Sequence, residues 1–182
     1  YFADNGYDVY GLDISPSAEH RFEDYVRRHR PDLRGKIKTG ILDQLASRLP
    51  YEDNWFDFIH SSSVIHYLPS GDAVERLLNE WHRVLKPRGL LMFSTVGPQN
   101  SFIDQGVEIS ENIYEWEDHL LAGSESKKSR SFLMRDEEHI KRLCAMFNVR
   151  EIGWHTLHYC GVDDFHWQVM AEKPHDVSLG SL

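Results

Sequence analysis

The chain has 182 residues, of which 41% are hydrophobic and 12% aromatic, a balance that suits one globular domain with a buried core and not a disordered tract. The formal net charge is -9, and affinity for nucleic acid rests on cationic side chains meeting phosphates, so a nucleic-acid partner is not expected. No apolar run is long enough to span a bilayer and no basic-then-apolar leader opens the chain, while Cys144 and Cys160 form no CxxC or metal-type spacing; the expectation is a cytoplasmic protein with reduced thiols and no membrane partner.

The opening "YFADNG" reads as the last turn of a helix closed by a Gly turn, and "YDVYGLDIS" as a strand ending at Asp13. "SPSAEHRFEDYVRRHRPDL" predicts a helix with Ser15 as N-cap and Pro16 at its first position; the basic run from Arg27 to Lys38 reads as a solvated helix end. "KIKTGILD" is a second strand, ending at Asp43, and "FDFIHSSS" a third. "DAVERLLNEWHRVLK" carries apolar residues at helical spacing and is expected to stop at Pro87 and Gly89, before the continuous apolar strand "GLLMFSTV". Strand, helix, strand, strand, helix, strand predicts an α/β fold built on a doubly wound, mostly parallel sheet.

The C-terminal part departs from that alternation. "RDEEHIKRLCAMF" reads as a helix, followed by two strands, "VREIGWHTLHYCG" and "FHWQVMAEK", joined by a turn at Gly161–Asp164; they form an antiparallel pair at one edge. Residues 97–135 form a polar, aromatic-dotted insert in which "NIYEWEDHLLA" reads as a short helix and "GSESKKSRS" as a loop. The expected organisation is one domain over 1–175, with 97–135 as an insert that caps the substrate and 176–182 as a flexible tail.

Ligands of open parallel sheets bind outside the carboxyl ends of the strands. Asp13 there can accept hydrogen bonds from vicinal ribose hydroxyls, or alternatively cap the next helix. Asp43, with Gln44, could meet the edge and face of a purine, or be an ordinary surface acid. Ser61, Ser62 and Ser63 offer small hydroxylic side chains where a ligand approaches the backbone, or a plain helix-start turn.

The segments "GYDVYGLDIS", "LPYEDNWFDFIHSSSVIHYLP" and "LLNEWHRVLKPRGLLMFST" resemble the class I S-adenosylmethionine-dependent methyltransferases, in particular the type 11 small-molecule group. The resemblance runs from Gly6 to Thr95 and implies a Rossmann-like sheet, S-adenosylmethionine as cofactor and methyl transfer to a small-molecule acceptor. It implies that Asp13 holds the ribose with Ile14 beside it, that Leu42, Asp43 and Gln44 border the adenine, and that Ser61, Ser62 and Ser63 approach the methionine moiety and the methyl group. His66 becomes the candidate base for a protic acceptor, since imidazole titrates near neutrality, and Tyr67 stands beside the substrate. The insert aromatics, Trp116 among them, could close over a small apolar acceptor or simply complete a local core.

That family places a strand and an ExGxGxG loop ahead of a helix tail such as "YFADNG"; the sequence does not contain them. The expectation is a partial sequence, N-terminally truncated, that is marginally stable and binds the cofactor poorly. No NPPY-like motif follows the third strand, which argues against methylation of adenine bases or glutamine amides. His155 and His158 are three apart on a strand and so point to opposite faces; no metal is expected. Two other readings are an NAD-type dinucleotide-binding oxidoreductase, which the ribose role of Asp13 also suits, and a non-catalytic methyltransferase-like interaction domain.

Overall fold

The computed structural model describes residues 1–42, 48–118, 127–159 and 162–175, in two units, Tyr1–Leu49 and Pro50–Leu182. In the first unit β1 (Val9–Asp13) and β2 (Ile37–Ile41) pair in parallel, with Val9 opposite Ile37 and Asp13 opposite Ile41. The connection between them is α1 (Pro16–His29), with Ser15 at the N-cap position and Pro16 at the first helical position as the sequence predicts. Ser15 makes no side-chain cap, and its Oγ lies 2.8 Å from Ser17 Oγ. A small core of Ala3, Val26 and Leu33, flanked by Val9, Phe22 and Ile37, holds the unit together.

The second unit is built on a mixed sheet in the order β3-β4-β9-β8. The strands are β3 (Phe56–Ser62), β4 (Leu85–Val96), β8 (Asn148–Tyr159) and β9 (Val162–Glu172). β3 and β4 are parallel, and β9 is antiparallel to both of its neighbours, as expected for a C-terminal antiparallel pair. α2 (Gly71–Val84) crosses between β3 and β4 and buries Val74, Leu78, Trp81 and Val84, Trp81 meeting Phe93 of β4 at 6.1 Å between rings. Its N-terminus is capped by Ser70, whose Oγ accepts the Ala73 N–H.

Three expectations are corrected. First, the helix ends at Val84 and not at Pro87, because the chain turns directly into β4 and bulges there: Phe56 pairs with Leu85 but Phe58 with Leu90. The bulge sets Arg88 at φ 67 and Gly89 where a Cβ would lie 2.8 Å from the Lys86 carbonyl oxygen. Second, the described part of the insert is not a helix but a three-stranded antiparallel sheet of β5 (Val107–Ser110), β6 (Ile113–Asp118) and β7 (Lys127–Phe132); of the expected helix and loop, residues 119–126 lie outside the described residues. "NIYEWED" misleads because its buried apolar residues, Ile113 and Trp116, are three apart as on a helix, whereas in the strand they lie on opposite faces and charged Glu115 pairs across the sheet with Lys128 and Arg130. Third, the C-terminal helix is only α4 (Glu137–Leu143), and β9 begins at Val162, opposite Tyr159, so Asp163 and Asp164 belong to the strand and not to a turn. The insert begins with one helical turn, α3 (Ser101–Asp104), capped by Asn100.

No helix among the described residues is long and apolar enough to cross a membrane. Cys144 is buried at the C-cap of α4, and burial pushes its thiol up to about 12; Cys160 lies outside the described residues.

Candidate functional site

In the first unit, parallel pairing brings the ends of β1 and β2 together. The Asp13 carbonyl accepts the Leu42 N–H at 2.8 Å, so Asp13 and Leu42, assigned to the ribose and the adenine, sit side by side at the carboxyl edge. Ile14 follows with 47% of its surface exposed. Asp13 is also exposed, and its Oδ1 accepts the Ser15 N–H at 2.7 Å, which orients the carboxylate over the start of α1. The two readings of Asp13 are therefore compatible: one oxygen serves the turn, and among the described residues Oδ2 accepts no hydrogen bond. Asp43 and Gln44 lie outside the described residues.

In the second unit, Ser61, Ser62 and Ser63 close β3. Ser61 is buried; Ser62 is exposed and its Oγ lies 3.4 Å from Ser94 Oγ on β4. Ser63 adopts φ 56, a left-handed conformation that is uncommon outside glycine, and its N–H is held by both the backbone oxygen (3.1 Å) and Oγ (3.2 Å) of Ser94. Ser94, buried within β4, thus fixes the turn that ends the serine run. Sequence reasoning passed over it. The available signal was a pair of hydroxylic residues, Ser94 and Thr95, inside an otherwise apolar strand.

The chain leaves Ser63 into a short 3-10 turn, Ile65–Tyr67, that places His66 inward and Tyr67 outward. His66 is 2% exposed and Tyr67 56%, their rings 4.1 Å apart. Among the described residues the buried His66 Nδ1 has no hydrogen-bond partner. Burial, with a smaller contribution from His166 nearby, lowers the imidazole to about 4, so the ring is neutral at physiological pH. His166 of β9 stands edge-on to it at 6.5 Å, and His155 of β8 stacks on His166 at 5.4 Å. Neither the His66–His166 contact nor the His155–His166 stack was foreseen from sequence. His158, by contrast, is exposed and bonded to Asp163 at 2.7 Å. Among the described residues no group of three His, Cys, Asp or Glu is arranged to hold a metal ion. Trp116 is buried in the insert sheet, stacked on Phe102 at 4.7 Å and 19°.

Comparison with known proteins bears on the family and the fold. Residues 1–93 match the type 11 model described as Methyltransferase domain. The chain is 32% identical over 95 residues to the biotin biosynthesis bifunctional protein BioHC of Saccharophagus degradans, covering 52% of this chain and 15% of that protein. It is 50% identical over 50 residues to malonyl-[acyl-carrier protein] O-methyltransferase 1 of Coxiella burnetii, covering 28% and 17%. It thus spans well under a quarter of the length of either relative. Among solved structures, a SAM-dependent methyltransferase of Methanosarcina mazei superposes with TM-score 0.76 at 20% identity, covering 96% of this chain and 85% of that one, which shows a shared fold. With the family model matched across half its length, the chain belongs to the type 11 methyltransferase domain family.

Proposed function

We propose that the protein transfers a methyl group from S-adenosylmethionine to the oxygen of a small, acidic acceptor. The observation that carries the cofactor reading is the edge made by Asp13, Ile14 and Leu42: an exposed carboxylate with a free oxygen for a ribose diol, flanked by apolar side chains for a base. These residues fit the nucleoside half of the cofactor, and Ser61, Ser62 and Ser63 are assigned to its methionine half. Asp43 and Gln44 would complete the adenine border.

When bound, the cofactor supplies an electrophilic methyl on a sulfonium, whose leaving thioether needs no proton. The protein's part is alignment of the acceptor, which can contribute up to about 10 kcal/mol in ideal cases. His66 is assigned to the acceptor's proton, taken at Nδ1, which among the described residues has no competing partner. A ring held near 4 is neutral and ready at every physiological pH, yet it pulls weakly on a proton. It is too weak a base for an alkyl alcohol or an ammonium group and matches an acceptor that keeps an acidic proton, such as an acidic phenol; a carboxylic acid reaches the site as a carboxylate and needs from the protein only alignment. The similarity to a malonyl-[acyl-carrier protein] O-methyltransferase supports an oxygen acceptor. Tyr67 and the Phe102–Trp116 stack are assigned to the acceptor's walls.

The test is calorimetric titration of S-adenosylhomocysteine into the protein and its Asp13→Ala variant, followed by a panel of carboxylic acids and phenols with labelled S-adenosylmethionine. Binding weakened at least tenfold by Asp13→Ala, with label transferred to an oxygen acid, is the expected result. Equal binding by both forms removes the ribose assignment, and transfer only to amines or thiols removes the acceptor class.

A further inference from the structure

The β8–β9 pair has two unlike faces. Alternation puts His155 and His166 on one, toward His66, and Trp154 and Trp167, which pair directly across the strands, on the other. On this second face Trp154 stacks on Phe165 at 5.5 Å and 20°, and Phe165 meets Trp167 edge-on at 4.8 Å. Trp167 is buried and anchored, its Nε1–H donating to the Met134 carbonyl at 2.8 Å. Trp154 is 64% exposed, an indole facing water beside half-buried Phe165 and buried Trp167. The three rings line an open cleft of about 480 Å³ whose other wall carries Asp136, Glu137 and Glu138.

The charge of that wall is negative. Arg135 also borders the cleft, but it is committed to Glu108 of the insert. Asp136 caps α4 through Oδ1, and Glu137 and Glu138 share the single Lys141 at 3.6 and 2.9 Å. These carboxylate pairs are exposed, and exposed pairs exchange partners at little cost. Indole faces present negative charge density, so an aromatic platform opposite carboxylates is complementary to a cation that is itself greasy. A metal ion keeps its tightly held water shell and gains little from the rings, and a neutral apolar ligand gains nothing from the acids.

We propose that this cleft is a binding site for a small alkylated ammonium ion, seated on Trp154 and Phe165 and facing Glu137 and Glu138. The site lies on the face of the strand pair away from His66 and stands independently of the methyl-transfer reading.

The test uses choline, with its neutral isostere 3,3-dimethyl-1-butanol as control, each titrated into the 15N-labelled protein at constant ionic strength while the Trp154 indole resonance is followed. Choline saturates in the millimolar range and binds about fivefold more tightly than the isostere, the increment expected of one good cation–π contact. Trp154→Ala abolishes the saturable shift of the remaining cleft resonances, and the Glu137→Gln/Glu138→Gln double variant, which keeps the aromatic platform intact, weakens choline several-fold and leaves the isostere unchanged. Equal affinity for the two ligands, no saturable response to choline, or choline binding undisturbed in both variants overturns the proposal.

Discussion

The ring of His166 stands edge-on to that of His66, centroids 6.5 Å apart and planes 74° from parallel, and so links β9 to the short turn that follows the serine run. His66 is a neutral group inside the folded protein and an ordinary imidazole outside it. That difference has consequences for stability, for titration and for the reading of the site.

The first concerns pH. Between about pH 6.5 and pH 4 the unfolded chain binds a proton at His66 that the folded chain refuses, because burial and then His166 penalise the charged ring. Unfolding free energy therefore rises with pH across that window: the stability is complete above 6.5 and is lost as pH falls toward 4. The loss at pH 5 is about 2 kcal/mol from this ring alone. His139 and His166, both lowered by burial, act in the same direction. Urea unfolding at pH 7.5 and pH 5 should show the drop, and His66→Leu should flatten it by about that amount; an unchanged pH dependence in the variant would contradict the burial argument.

The second isolates His166. Its charge is the lesser cause of the low His66 value, after desolvation. Replacing it by Asn removes the repulsion but keeps the ring's burial. In 15N-histidine NMR the His66 midpoint should move upward in His166→Asn while staying below the ordinary 6.5. A midpoint that does not move means that the two rings are not coupled.

How much of this was legible beforehand depends on which distances the pattern carries. Period-3.6 spacing located α2, whose Val74, Leu78, Trp81 and Val84 form one buried stripe, and a continuous apolar run located β4 from Gly89 onward. Asp13 and the serine run were legible as strand ends. The His155–His166 pair was not, for a definite reason. Partners in a hairpin sum to a constant, and the observed register pairs Tyr159 with Val162 and hence 155 with 166. A turn placed two residues later pairs His155 with Met170 and hides the imidazole column. Ser94 escaped for a different reason: its role depends on the parallel register of β3 on β4, which a single strand's pattern does not contain.

Ser63 offers a test of backbone strain. At φ 56 its Cβ crowds the following carbonyl, a cost that glycine avoids. The two bonds from its N–H to Ser94 remain available to any residue there. Ser63→Gly should leave stability unchanged or raise it by up to about 1 kcal/mol, against the usual penalty for added glycine freedom. Thermal unfolding of the variant checks this; a clear loss would mean that the Ser63 hydroxyl itself carries stability.

Lys173 makes a buried charged contact in the second unit. Only 6% exposed, its ammonium donates to the Asn54 side chain at 2.8 Å and to the Leu85 carbonyl at 2.9 Å, fastening the start of β4 beside its bulge. Lys173→Met keeps the aliphatic stem but leaves the carbonyl and the amide unpaired. The expected loss is about 2–3 kcal/mol in chemical denaturation, and a neutral result would show that water or a shifted Asn54 replaces the ammonium.

Gly97, just past β4, tests the packing that builds the aromatic cleft. Its N–H donates to the Phe165 carbonyl at 3.0 Å, which draws β9 so close that a Cβ would stand 2.3 Å from the Phe165 ring and 2.9 Å from Trp167 Nε1. Trp167 cannot yield without giving up its bond to Met134, so Phe165 must swing out and lose its stack on Trp154. Gly97→Ala should cost about 1–3 kcal/mol, a fall of roughly 3–10 °C in Tm for a chain of this size. Adding Phe165→Leu makes room for the methyl group, so the double variant should lose less than the two single losses combined. Strict additivity would mean that the glycine is required for its backbone and not for the ring it admits.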